Sequence, residues 1–151
     1  MVSKEFNIEG PISEIFEIDL NFLRDEIKFI LNEIDRTTYG IKTGYYKPEA
    51  ILDNLDGIYI ETLRMNTLHT LILNKAIAYR PNNIELRNFL EDYNTSYITP
   101  AIAWIDAAKD LYKKDPNQYI SNVYKLLTKL KNLLKEADLK LIEAINRRLF
   151  I

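Results

Sequence analysis

The sequence predicts an all-α fold: a single-domain helical bundle, or a short stack of antiparallel helical hairpins, with five to seven helices. Three observations carry this expectation. Apolar residues recur at spacings of three and four along almost the whole chain, the period of amphipathic helices. Only 4 Gly and 5 Pro stand among 151 residues, too few for a sheet protein, which needs turn formers about every 8–12 positions. The composition, 47% hydrophobic and 28% charged, is that of an ordinary globular domain. A chain this long buries roughly 70% of its unfolded surface and needs no disulfide or metal to fold.

The elements follow in order. Residues 1–10 are expected to be extended or flexible. Pro11 and Ser13 suit a first turn and a cap, and Phe16, Leu20, Leu23, Ile27, Ile30, Leu31 and Ile34 make the first stripe. This helix is expected to stop before Gly40. The segment 38–47, TYGIKTGYYK, is expected to be a long loop, bracketed by Gly40, Gly44 and Pro48. From Pro48 to Tyr79 two stripes appear: Ile51, Leu52, Leu55 and Tyr59, then Met65, Leu68, Ile72, Ala76 and Tyr79. They are offset, with Gly57 between them, so a kink or break is expected there. Arg80-Pro81-Asn82-Asn83 ends that segment, because a proline ring restricts the residue before it.

A short helix then carries Ile84, Phe89, Leu90 and Tyr93. Thr99-Pro100 and Asp115-Pro116 both read as cap plus first-turn proline. Between them lie Ile102, Ile105, Ala108, Leu111 and Tyr112. The last segment holds Val123, Leu126, Leu127, Leu130, Leu133, Leu134, Ala137, Leu141, Ile145 and Leu149, with a possible break near 136–138.

Several functions are excluded by what is missing. There is no Cys, which removes disulfide frameworks, cysteine zinc sites, thiolate nucleophiles and iron–sulfur clusters. No phosphate-binding glycine loop or nucleophile elbow occurs. The most apolar stretch, around 68–78, is broken by His69, Thr70, Asn74 and Lys75, so no membrane span is expected. The N-terminus lacks the apolar run of a secretory signal, and a cytoplasmic location follows as the expectation. Carboxylates at helical spacing, Glu49, Asp53 and Asp56 or Asp106 and Asp110, read as solvated faces. No metal and no cofactor are expected.

Two resemblances stand on short motifs. RPNN at 80–83 and DPNQ at 115–118 place Pro81 and Pro116 35 residues apart. This resembles the period and closing turn of tetratricopeptide repeats. Counting back from Pro81, Ala76, Leu73 and Gly57 fall at that family's small, large apolar and glycine positions. His69, Asp53 and Asp56 depart from its pattern, and the second copy matches poorly, with Trp104 at a small-residue position. The likeness implies stacked helical hairpins with a concave protein-binding face. The string from Arg64 to His69 looks like the Arg-x4-His signature of HEPN ribonucleases. That likeness implies Arg64 and His69 as catalytic residues, His as acid or base and Arg against phosphate charge. Met65 departs from the family, which usually has a polar residue there.

Charge is unevenly spread. Residues 1–36 hold four basic and nine acidic residues; residues 109–151 hold ten and five. Lys113, Lys114, Lys125, Lys129, Lys131, Lys135, Arg147 and Arg148, interleaved with Tyr112, Tyr119 and Tyr124, are candidates for nucleic-acid binding. The plain counterpart is an amphipathic helix with a Lys-rich outer face. The acidic first helix is also expected to pack on, or dimerise with, the basic last one. Tyr39, Tyr45 and Tyr46 are candidates either for covering the bundle end or for contacting a partner. The leading expectation is a non-enzymatic protein–protein interaction or assembly protein, its partner another protein or a second copy. A nucleic-acid-binding accessory subunit and a HEPN-like ribonuclease follow.

Overall fold

A computed structural model describes residues 8–151. Residues 1–7, most of the segment expected to be extended, lie outside the described residues. Four long helical rods run in sequence. They are α1 (Glu14–Thr43), α2 (Pro48–Tyr79), α3 and α4 (Pro116–Asn146). The third rod, α3, is continuous through Ile84–Tyr93, a π-helical turn Asn94–Ile98, and Thr99–Lys114. Four rods, not five to seven helices, is the first correction. The breaks expected at Gly57, Thr99-Pro100 and 136–138 are absent, and the rods run through them.

The π turn shows how. In α1 the most deeply buried side chains run 16, 20, 23, 27, 30, 34 and 37, alternating four and three as in a coiled-coil seam. In α3 they run 86, 90, 93, 97, then 98, 101, 105, 108 and 112. One residue too many sits at Tyr97-Ile98. An α-helix continuing from Tyr97 would carry the stripe on to 100 and 104, not to 101 and 105. The wider π turn, with the Thr99 N–H reaching back to the Asn94 carbonyl, keeps both inward. Pro100 lies just beyond, where its missing N–H and bulky ring would disturb a plain helix. Thr99-Pro100 therefore does not start a new helix.

The same seam corrects α2. Its buried positions are 51, 55, 58, 62, 65, 69, 72 and 76, one unbroken alternation of four and three. The two offset stripes are one, with Thr62 and His69 as polar members. Thr62 Oγ1 donates to the Ile58 carbonyl at 2.7 Å, which satisfies it locally. Gly57 sits in the helix without breaking it. In α4 the seam runs through 137 and 138 without interruption.

The connections are short. α1 passes through Gly40 and ends at Gly44, whose φ of 69° is the left-handed cap that glycine adopts at low cost. Only residues 44–47 connect α1 to α2, not the expected long loop 38–47. Asn83 and Asp115 cap the next two starts, accepting from Leu86 N–H and Gln118 N–H. With such links each rod is antiparallel to the one before it. The order around the bundle is α1, α2, α3, α4, with α4 back against α1.

Each neighbouring pair carries a polar tie. Lys75–Asp19 (2.7 Å) joins α2 to α1, and Lys109–Asp56 (3.1 Å) joins α3 to α2. Tyr97 donates to Glu136 at 3.2 Å between α3 and α4. Lys131–Asp35 (2.6 Å) and Arg24–Asp138 (3.0 Å) join α4 to α1. The expected pairing of acidic and basic helices is thus met within the chain.

The C-terminal residues close one end. Phe150 is buried, edge-on to Phe16 at 5.6 Å and to Phe89 at 6.0 Å. Its carbonyl accepts from Ser13 N–H at 2.6 Å. Glu9 and Gly10 N–H both donate to Asn146 Oδ1, which ties the entering chain to the end of α4. Among the described residues no helix is long and apolar enough to cross a membrane.

Candidate functional site

The heptad seams of α1 and α2 face the core, so the helices' outer flanks meet along a groove. Ile18, Phe22 and Phe29 of α1 and Ile60, Leu63 and Leu71 of α2 are large apolar side chains left exposed, and of these Phe22 and Phe29 line the groove. Phe22 is 56% exposed and Ile18 63%. A hollow of about 540 Å³ lies here, lined by Phe22, Asp25, Glu26, Phe29, Glu61, Arg64, Thr67 and Leu68. The apolar period of α1 hides this face, because its core stripe is so regular that flank positions read as surface.

Two carboxyls lie in the hollow. Glu26 comes from α1 and Glu61 from α2, and both line the hollow. Burial first, and then the neighbouring Glu61 carboxyl, push Glu26 up to about 8, against a smaller downward pull from Arg64. Glu26 Oε1 is shut away from solvent with no hydrogen-bond partner among the described residues. Arg64, largely exposed, reaches Glu61 Oε1 from outside at 3.0 Å. The hollow thus holds two acids beside two phenylalanine rings, with one acceptor unused.

Arg64 therefore belongs to the groove, but His69 does not. Five residues along a helix turn a side chain by about 140°. His69 is 2% exposed and faces the core. Its Nε2 lies 2.7 Å from the Leu90 carbonyl, and its ring stacks on Tyr93 at 5.9 Å. A carbonyl only accepts, so Nε2 carries the proton. Burial holds the imidazole below its ordinary range. The structure does not bring Arg64 and His69 to one cleft, and the HEPN-like reading gains nothing from it. Nor does the chain between Pro81 and Pro116 form a helical hairpin, the unit that the tetratricopeptide likeness implies; it forms the single rod α3.

The tyrosines divide. Tyr46 packs against the bundle over Gly40, whose missing Cβ leaves room for its ring. Tyr45, edge-on to Tyr46 at 5.5 Å, is 76% exposed, and Tyr39 is also exposed. Tyr46 takes the covering position, and Tyr39 and Tyr45 present exposed rings.

The basic residues are spread over the molecule. Lys113 and Lys114 end α3 at one end of the bundle; Arg147 and Arg148 follow α4 at the other. The 31 residues of α4 separate them by about 45 Å at 1.5 Å per residue. Lys131 is held by Asp35, and Arg147 lies 4.0 Å from Glu85. Lys125, Lys129 and Lys135 are exposed on the outer side of α4. Lys125 shares a hollow of about 550 Å³ with Lys42, Ile41, Ile120, Ser121 and Tyr124. Among the described residues no group of three or more acidic or histidine side chains is placed to hold a metal ion. No protein-family model, no curated protein and no solved structure matches this chain.

Proposed function

We propose that the chain is a non-enzymatic interaction module that receives another protein on its α1–α2 face. The observation that supports this reading is the hollow between α1 and α2, with the exposed rings of Phe22 and Phe29 at its wall and Leu68 opposite. Contiguous apolar surface rimmed by polar groups is the usual mark of a contact face. Tests should target the flanks, which lie outside the core seam. Wild type should associate, with itself in sedimentation or with a stoichiometric co-purified protein. Phe22→Ser/Phe29→Ser should remove that association and leave the urea midpoint almost unchanged. A double variant that still associates as wild type does would overturn the reading.

A second reading has one observation in its favour. Lys42, Lys47, Lys113, Lys114 and Lys125 cluster toward the Gly44 end and make no ion pair among the described residues. With exposed Tyr39 and Tyr45 nearby they form a surface suited to a phosphate backbone. Binding of single-stranded RNA or DNA should then weaken steeply with salt. A flat salt response removes this reading.

A further inference from the structure

The apolar flanks do not explain the acid pair between them. A docking face that needed only apolar area would gain nothing from two carboxyls in its floor, since a buried acid without a full set of partners is costly. Glu26 Oε1 lacks any donor, and Glu61 is covered on one side by Arg64. Three acidic residues, Asp25, Glu26 and Glu61, line the hollow against the one basic Arg64. The charge and the empty acceptor both ask for a cation. The rings of Phe22 and Phe29 suit the same guest, because an aromatic face attracts a cation and packs its aliphatic stem.

We propose that the partner of this face is a basic amphipathic helix. One lysine or arginine enters between Phe22 and Phe29 and places its cation on the Glu26–Glu61 pair. The inference rests on the docking reading above and names the partner's anchor. As the cation arrives, the proton held on Glu26 leaves to solvent. Both carboxylates are then charged, and the ammonium or guanidinium hydrogens take the place of that proton. With Glu26 raised to about 8, docking at pH 7 releases a proton. Above pH 9 the proton is already gone, and docking releases none. The charged groups facing Glu26 are Asp25 on its own helix and Glu61 and Arg64 on α2, the other wall of the groove.

The test uses three model helical peptides of Leu, Ala and Gln that differ at one central residue: Lys, norleucine or Glu. Norleucine keeps the stem of lysine and drops its charge. Calorimetry at pH 7 in two buffers of different ionisation enthalpy reads affinity and proton release together. The lysine peptide should bind at least tenfold more tightly than the norleucine peptide, and the Glu peptide most weakly. Glu26→Gln should erase the preference for lysine and the proton release while keeping norleucine binding. Phe22→Ser/Phe29→Ser should weaken all three. If norleucine and lysine peptides bind alike, or if no proton is released, the cation anchor is wrong and apolar docking stands. If the lysine preference survives in Glu26→Gln, the anchor is also wrong. If none of the peptides binds at millimolar concentration, both the anchor and the docking face are overturned.

Discussion

Arg24 and Asp138 form a two-pronged ion pair inside the bundle, Nε to Oδ1 at 3.0 Å and Nη2 to Oδ2 at 3.3 Å. The pair reverses the charge pattern of the sequence: the acidic helix α1 supplies the cation and the basic helix α4 the anion. It lies near Tyr93, whose hydroxyl donates to the Ala137 carbonyl at 3.1 Å. The pair sets the register of α1 against α4, because a shift of either rod would bury one charge alone. Removing one partner of such a pair typically costs about 3–5 kcal/mol, whereas an apolar replacement of both is often nearly neutral. Arg24→Met is therefore expected to lose about 3 kcal/mol in urea unfolding. Arg24→Met/Asp138→Leu is expected to recover most of that loss. Equal losses in the single and double variants would contradict this account.

His69 makes the fold sensitive to mild acid. Burial lowers its pKa in the native state, so the unfolded chain binds a proton more readily. Stability from neutral His69 is present above the ordinary histidine pKa and falls as pH drops below it. The loss is expected to set in below the ordinary histidine pKa and to grow as pH falls toward 5. His69→Gln can still donate to the Leu90 carbonyl and does not titrate. Urea midpoints for wild type and His69→Gln should diverge across pH 7 to 5, with wild type falling faster.

Glu26 has the opposite sign. Its native pKa of about 8 lies above the ordinary carboxyl value, so the native state holds a proton that the unfolded state has released. Its contribution is fully present below about pH 4.5 and is lost as pH rises to about 8. Glu26→Gln keeps a donor toward Glu61 at every pH. The variant is expected to exceed wild type in stability at pH 8–9, by on the order of 1 kcal/mol given solvent screening in the groove. At pH 5 the difference should nearly vanish. Thermal melts at pH 5, 7 and 9 check it.

Two helix-interior glycines are expected to answer differently to alanine. Nothing stands within 4 Å of where a Cβ would sit on Gly57, so Gly57→Ala should stabilise α2 by about 0.5–1 kcal/mol. At Gly40 the Cβ would run into the Tyr46 ring. Gly40→Ala should lose the propensity gain and displace Tyr46, giving a midpoint at or below wild type. Adding Tyr46→Ala should bring the gain back.

The helical class and the ends of the rods are local matters, and local matters were legible. Phe16, Leu20, Leu23, Ile27, Ile30 and Ile34 of the expected stripe are all buried. Asp115 caps the start that Asp115-Pro116 announces, and Tyr79 ends α2 where Pro81 requires it. Gly40, Gly57 and Thr99-Pro100 misled for one reason. Each weakens a helix by an amount on the order of 1 kcal/mol or a few, and packing a long seam against two neighbours outweighs that. Thr62 and His69 hid the unity of α2 because their polarity is satisfied by carbonyls, one local and one on α3.

The candidate site was the least legible. The sequence singles out Arg64 together with His69, which faces the core, and offers Tyr39 and Tyr45 without their surroundings. Glu26 and Glu61 stand 35 positions apart in the chain and meet only because α1 and α2 pack in one register. The sequence by itself determined which residues could be helical, where rods must end, and which side of each rod avoids water. Those follow from backbone geometry and hydrophobic period within a few turns. Only the tertiary structure decided that α3 is one rod with a π turn, that Arg24 finds Asp138, and that Glu26 and Glu61 meet beside two phenylalanines. Such pairings depend on the axial register between helices, and many side chains packing at once set that register, not any local stretch of chain.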